Sequence, residues 1–154
     1  MENILNYHQV NNRIASAGQP TPEQFSDIHE AGYTVVINLA MSDASNAEPE
    51  EETLIRSLGM THVHIPVPFD NPTPAHVKAF FGVMDAFTNE KVFVHCALNL
   101  RASAFLYLYL THVEGIQPEQ VTFPMLEKWQ PQMEECWRKI LNVTSEEIGY
   151  NRQK

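Results

Sequence analysis

His95, Cys96 and Arg101 lie close together where the sequence predicts a strand followed by a helix. Residues 92–94 are apolar, as in a buried strand, and residues 102–110 are rich in alanine, leucine and aromatics without glycine or proline. A cysteine in such a turn meets backbone N–H groups and the positive end of a helix dipole, which bind oxyanions and favour a thiolate. Arg101 adds two donors that match two phosphate oxygens. The predicted chemistry is therefore nucleophilic attack on a small oxyanion.

The segment HCALNLRAS, residues 95–103, resembles the phosphate-binding loop of cysteine-dependent protein tyrosine and dual-specificity phosphatases. That loop reads His-Cys, five residues, Arg, then Ser or Thr, whereas only four residues separate Cys96 from Arg101. The family usually has glycine at the third position after the cysteine, where a positive φ is needed, and Asn99 occupies that position here. Ser103 stands at the family's spacing from Cys96.

Other segments resemble a small bacterial phosphatase-like family that is grouped with beta-lactamase hydrolase-like proteins. Residues 15–25 (ASAGQPTPEQF) and 31–39 (AGYTVVINL) are similar to its opening, and residues 64–80 (HIPVPFDNPTPAHVKAF) resemble its general-acid loop. The short cysteine loop looks like a branch of this family. The resemblance implies a phosphatase-like fold and hydrolysis of a phosphate monoester, without a cofactor, in a phosphorylated small molecule or phosphoprotein.

The resemblance also implies roles for individual residues. Cys96 is expected to attack phosphorus, Arg101 to hold phosphate oxygens, and Asp70 to protonate the departing oxygen. His95 is expected to orient the loop from behind. The residues expected to surround the bound phosphate are Ala97, Leu98, Asn99, Leu100 and Ser103.

The short loop leaves other interpretations open. Rhodanese-like sulfurtransferases have a Cys-x4-Arg loop whose cysteine carries a persulfide, and the spacing from Cys96 to Arg101 matches it. The loop is also compatible with a pseudophosphatase that binds an oxyanion without turnover. In the simplest alternative, Cys96 is only a small buried residue and Arg101 only begins a helix.

The elements that must position these residues form one predicted α/β domain, residues 1–154. Alternating strands and helices predict a mostly parallel sheet of four to five strands with helices on both faces. The predicted strands are residues 13–17, 33–39, 62–67 and 92–94, and two helices are expected to begin with N-caps at Thr21 and Thr73. The carboxyl edge of such a sheet gathers three loops, at residues 42–46, Asp70 and residues 96–101.

Charge and composition exclude several classes of partner. The net charge of −9 disfavours binding to nucleic acid and to anionic membranes, whereas residues 91–113 contain no acidic side chain. Two cysteines fit a reducing compartment, and the N-terminus lacks the pattern of a signal peptide, so we expect a cytoplasmic protein.

Three further segments are predicted to have no part in catalysis or ligand binding. The acidic residues 48–52 are expected to complement a helix dipole, with Pro49 at the first helical position, rather than to bind metal. His62 and His64 fall on one face of a predicted strand, but no third metal ligand has a recognisable spacing, so no metal site is predicted. Residues 150–154 are expected to form a loose tail.

Overall fold

The computed structural model describes residues 1–152, which form one sheet enclosed by helices. The strands are β1 (His8–Gln9), β2 (Ile14–Ala17), β3 (Val35–Asn38), β4 (Thr61–His64) and β5 (Val92–His95). The α-helices are α1 (Pro22–Glu30), α2 (Glu51–Ser57), α3 (Pro74–Ala86), α4 (Leu100–His112), α5 (Pro124–Trp129), α6 (Glu135–Leu141) and α7 (Ser145–Ile148). Short 3-10 helices occupy Pro118–Gln120 and Gln130–Gln132. None of the helices in residues 1–152 is both long and apolar enough to cross a membrane.

The sheet has five strands in the order β1-β2-β5-β3-β4. Strands β2 to β5 run parallel, and β1 pairs antiparallel with β2. Strand β5 lies in the middle, where Val92 pairs with Ile14 of β2 on one side and Val35 of β3 on the other. This arrangement confirms the predicted α/β class and mostly parallel sheet. Strand β1 was not predicted, because two residues carry no detectable hydrophobic period.

Successive residues of the strands pack against opposite layers of helices. Ile37 and Val94 belong to the larger core, together with buried residues of α3 to α7. Val36 and Phe93 belong to the smaller core, which α1 and α2 cover. Since helices cover both faces, β2 and β5 are buried along their whole length, as the apolar run of β5 predicted.

Threonine caps begin two helices as predicted. The Thr21 hydroxyl accepts the Gln24 N–H at 3.3 Å, and the Gln24 side chain accepts the Thr21 N–H at 2.9 Å. Thr73 and His76 form the same reciprocal pair at the start of α3. Strand β4 ends before its predicted limit, at His64, and Pro66 follows without the N–H that a strand would need.

The predicted loose tail is wrong for the part of it that the structure describes. Tyr150 packs edge-on against Phe81, with ring centroids 5.7 Å apart, and its hydroxyl donates to Asp85. Arg152 forms ion pairs with Asp85 and Glu114, each at 2.9 Å. These partners lie far away in the sequence, so no local pattern could indicate them. Residues 153 and 154 lie outside the described residues.

We expect Asp85→Asn to destabilise the protein by about 2 kcal/mol at pH 7 in urea denaturation, because Asp85 accepts charge-assisted hydrogen bonds. Burial acts to raise the pKa of Asp85, but hydrogen bonds from Arg152, Tyr150 and Tyr109 hold it below its ordinary value of 3.8. Stability from a lowered pKa is present above the unfolded-state value and is lost as the pH falls below it. The difference between wild type and variant should therefore shrink below about pH 3.8.

The matched control is Asp27→Asn on the exposed surface of α1, which should change stability by less than about 0.5 kcal/mol. A difference between wild type and Asp85→Asn that is constant from pH 7 to pH 3 would contradict this account of the C-terminal segment.

Candidate active site

The loop from Cys96 to Arg101 joins the central strand to α4. Cys96 directly follows β5 and is 1% exposed. Asn99 caps α4 with φ at +71°, in the left-handed region, which confirms the prediction that a positive φ is needed there. The Asn99 side chain donates to the Asn6 carbonyl at 2.8 Å and accepts the Ser103 hydroxyl at 3.1 Å. Both side chains therefore fix the turn from inside the protein.

Backbone donors of this turn are unused. Within residues 1–152, no backbone acceptor is bonded to the N–H groups of Ala97, Leu98, Leu100 or Arg101. They lie before or within the first turn of α4, where N–H groups have no partner in the helix. Such groups bind an anion when they converge at a helix N-terminus. The Cys96 N–H, by contrast, donates to the sheet at the Ala17 carbonyl.

Arg101 is folded into the protein, and one of its donor nitrogens is buried without a partner within residues 1–152. The residue is 7% exposed, and its Nη1 donates to the Val67 carbonyl at 2.8 Å. Its guanidinium lies over the Phe69 ring, 5.6 Å from the centroid. Its Nε is buried and has no hydrogen-bond partner within residues 1–152. Buried polar atoms without a hydrogen-bond partner are uncommon in folded proteins.

A cavity of about 240 Å³ opens between the turn and the loop after β4. Its lining residues are Phe69, Cys96, Ala97, Leu98, Leu100 and Arg101. Leu98 stands at the rim and is 50% exposed. The cavity is smaller than most small-molecule sites, which measure roughly 300–1,000 Å³, and suits a small group on a larger substrate.

Asp70 lies just beyond the wall of this cavity. The preceding residue, Phe69, stacks against Trp129 and Trp137 with centroids 5.5 and 5.6 Å away, and its carbonyl accepts the Trp137 indole N–H at 2.6 Å. The Asp70 side chain is exposed and is not part of the cavity lining. The structure thus fixes the backbone next to Asp70, while the acid role of its carboxylate stays a prediction.

The loop at residues 42–46 reaches the same turn, as the sheet topology predicted. The Asn46 amide donates to the Ala97 carbonyl at 3.0 Å. The Gln19 N–H donates to the same carbonyl at 3.1 Å. Three separate segments, after β2, β3 and β4, therefore touch or face the turn that follows β5.

A buried chain of hydrogen bonds lies behind Cys96. His95 is fully buried; its Nδ1 lies 3.1 Å from the Cys96 carbonyl, and its Nε2 lies 2.7 Å from Oε2 of Glu51. The same Glu51 oxygen is 2.9 Å from Nε2 of His62, and the Gln19 amide donates to the other oxygen at 2.8 Å. This places His95 behind the turn, where it was predicted to be.

Sequence reasoning missed Glu51. The acidic segment was expected only to complement a helix dipole, with Pro49 as the first helical residue, but α2 begins at Glu51, which is 4% exposed. Burial acts to raise the pKa of Glu51, but the charge of His95 and hydrogen bonds from His62, His95 and Gln19 together hold it well below its ordinary value. The available signal was helical spacing, since Glu51 precedes the buried Ile55 by four residues.

His62 and His64 have partners other than a metal. His62 bonds Glu51, and Nε2 of His64 lies 2.7 Å from the Ala40 carbonyl. In the part of the chain that the structure describes, no group of three or more His, Cys, Asp or Glu side chains is placed to hold a metal ion.

Both the sequence and the fold of the chain are similar to those of known proteins. Residues 2–139 match the sequence profile of a family described as a DSP-PTPase phosphatase fused to NAD+ kinase. The chain belongs to this DSP-PTPase family. A beta-lactamase hydrolase-like protein of Xylella fastidiosa is 30% identical over 109 residues. The match covers 69% of this chain but only 25% of that protein, so the chain spans about a quarter of the curated relative.

Solved structures share the DSP-PTPase fold. A candidate phosphatase (DUF442) from Shewanella putrefaciens CN-32 is 35% identical, with a TM-score of 0.84 over 97% of each chain. The core catalytic domain of the PP-IP phosphatase SIW14 from S. cerevisiae is 13% identical, with a TM-score of 0.74 over 95% of this chain and 90% of that one. At that identity the likeness to SIW14 concerns the fold alone. The predicted phosphatase-like fold and family are confirmed.

The positive φ of Asn99 can be tested with a pair of substitutions. Asn99→Gly and Asn99→Ala both remove the hydrogen bonds to Asn6 and Ser103, but only alanine strains a backbone held at +71°. We therefore expect Asn99→Ala to be less stable than Asn99→Gly by about 1 kcal/mol in urea denaturation.

Asn142 provides the control, because it ends α6 with φ at −100° and alanine is unstrained there. Asn142→Ala should be no less stable than Asn142→Gly. Equal stabilities for the two Asn99 variants would mean that the turn does not need the left-handed conformation.

Proposed function

We propose that this protein is a cysteine-dependent phosphatase that hydrolyses a phosphate monoester through a thiophosphate intermediate. The observation that carries the proposal is the buried Arg101, whose Nε has no partner within residues 1–152 and which shares a cavity with the buried Cys96. The backbone N–H groups of Ala97, Leu98, Leu100 and Arg101, which have no backbone acceptor within residues 1–152, supply further donors. Together they suit a tetrahedral anion held next to a sulfur nucleophile.

In the proposed first step, the Cys96 thiolate attacks phosphorus and a sulfur–phosphorus bond forms as the bond to the leaving oxygen breaks. Arg101 and the turn N–H groups hold the non-bridging oxygens. Because the Val67 carbonyl takes up one N–H of Arg101, the phosphate is held by the other N–H groups of the guanidinium. Asp70 gives its proton to the leaving oxygen, so that a neutral alcohol departs.

In the second step, water attacks phosphorus and the sulfur–phosphorus bond breaks, which returns the Cys96 thiolate and releases inorganic phosphate. Asp70, now a carboxylate, accepts a proton from the attacking water. Ser103 has its hydroxyl bonded to Asn99 and supports the turn from the core. The proposed substrate is a phosphorylated small molecule or a phosphoprotein.

Sulfur transfer is the second candidate, because the Cys-x4-Arg spacing matches rhodanese-like loops. In that reaction Cys96 would take sulfur from thiosulfate as a persulfide, releasing sulfite, and then pass the sulfur to cyanide. Both reactions use the same anion site. The phosphatase family of this chain favours the first reaction.

We expect wild type to hydrolyse p-nitrophenyl phosphate, and Cys96→Ser to lose that activity by at least about 10³-fold, because the thiolate is the nucleophile. Arg101→Lys should lose at least about tenfold, because a lysine lacks the planar fork. Cys136→Ser, which changes the other cysteine, should retain activity. Release of nitrophenol measures hydrolysis, and thiosulfate:cyanide transfer is assayed on the same samples.

Thiosulfate:cyanide transfer without phosphate release would replace the phosphatase proposal with sulfur transfer. Thermal stabilisation of wild type by phosphate, with neither activity, would leave a binding module, because a ligand that binds only the native state raises its stability.

We expect Asp70→Asn to lower kcat for p-nitrophenyl phosphate by about 10²-fold and to remove the fall in rate at high pH, because no proton donor then remains. The exposed Asp27→Asn is the control and should retain the wild-type profile. An unchanged pH profile in Asp70→Asn would exclude Asp70 as the general acid.

A further inference from the structure

Both ring nitrogens of His95 face groups that only accept hydrogen bonds. Nδ1 lies 3.1 Å from the Cys96 carbonyl, and Nε2 lies 2.7 Å from the Glu51 carboxylate. A neutral imidazole carries one N–H and can donate to only one of them. Since the lowered pKa of Glu51 keeps it a carboxylate, both contacts are hydrogen bonds only when both nitrogens carry a proton, as in an imidazolium.

We propose that Glu51 is a positioning residue that holds His95 as an imidazolium directly behind the Cys96 nucleophile. Glu51 touches no reacting atom and acts through His95, whose positive charge favours the thiolate of the next residue. The inference rests on the proposed role of Cys96 as a nucleophile. It adds a residue on α2 to a site that is otherwise built from the loops after β4 and β5.

Burial explains why His95 needs this partner. An imidazolium with 0% side-chain exposure is costly unless an opposite charge and hydrogen bonds compensate it. Glu51, with a side chain 5% exposed, provides the charge. It is itself satisfied by three contacts, from His95, His62 and Gln19. The lowered pKa of Glu51 agrees with a carboxylate that stays charged at neutral pH.

The other titratable groups around Glu51 lie on its solvent side. His62 of β4, with a side chain 12% exposed, shares the Oε2 atom of Glu51 with His95. Both His62 and Glu51 line a separate cavity of about 420 Å³, together with Glu48, Glu52 and His64. Neither Cys96 nor Arg101 lines this cavity. Glu51 therefore separates the charge behind the nucleophile from the solvent on the other side.

The test measures the rate of Cys96 alkylation by iodoacetamide from pH 5 to pH 10 in a Cys136→Ser background. We expect Glu51→Gln to lower the rate at pH 7 by about tenfold, because a neighbouring charge alters the thiolate fraction by at least that factor. At pH 10, where the thiol is ionised in every variant, the rates should agree within about twofold. A merely structural defect would change the rate at high pH as well.

The matched control is Glu52→Gln, the next residue of α2, whose side chain is 70% exposed. It should leave the alkylation profile unchanged. In a His95→Asn background, Glu51→Gln should have no additional effect, because its route to Cys96 is gone. The proposal would be overturned if Glu51→Gln lowered the alkylation rate tenfold in the His95→Asn background. It would also be overturned if Glu51→Gln left the rate unchanged when His95 is present.

A measurement on the wild-type chain keeps the proposal testable if Glu51→Gln does not fold. Nitrogen-15 NMR of histidine-labelled protein at pH 7 should show both His95 nitrogens protonated, and a neutral tautomer would overturn the inference. Neither experiment requires turnover. If wild type hydrolyses no phosphate ester, the proposed function fails while these readouts still decide the role of Glu51.

Discussion

The hydrogen bonds of β5 to two parallel neighbours are the constraint on which the site depends. Strand β5 is paired on both edges, with β2 and β3, and buried on both faces. The chain must therefore leave the sheet where these strands end, and it turns at once into α4. A turn this short leaves donors without partners, because the first N–H groups of a helix have no acceptor in the helix. The proposed anion site is thus a consequence of how the central strand ends.

Polar groups this deep in a protein are stable only when their hydrogen bonds are satisfied. Asn99 and Ser103 satisfy each other within the turn, and Glu51 and His95 do so behind it. Two buried side-chain atoms lack a partner within the described residues, the Ser16 hydroxyl oxygen and the Arg101 Nε. A buried polar atom without a partner costs the free energy of its desolvation. The hydrogen bonds of Asn99, Ser103, His95 and Glu51 therefore support the turn between β5 and α4.

Sequence patterns predicted the features that depend only on residues close together in the chain. Apolar runs located β3 and β5, threonine caps located the starts of α1 and α3, and the residue type of Asn99 indicated its left-handed backbone. Contacts between distant segments were not predictable in this way. Glu51 meets His95 across 44 residues, and Arg152 meets Asp85 across 67. The sequence around Glu51, two residues after Pro49, would look the same whether its side chain faced solvent or the core. Only the packing of α2 determines that it is buried.

The hydrogen bond from Arg101 to the Val67 carbonyl connects two segments of the site. One guanidinium nitrogen is bound to the backbone that leads from β4 to Asp70, and Arg101 lines the same cavity as Cys96. The same side chain therefore joins the segment that carries the predicted acid to the turn that carries the predicted nucleophile. Trp137 holds that segment from the other side through the Phe69 carbonyl. A planar, five-donor side chain can make both contacts at once, whereas a lysine in its place would have to give up one of them.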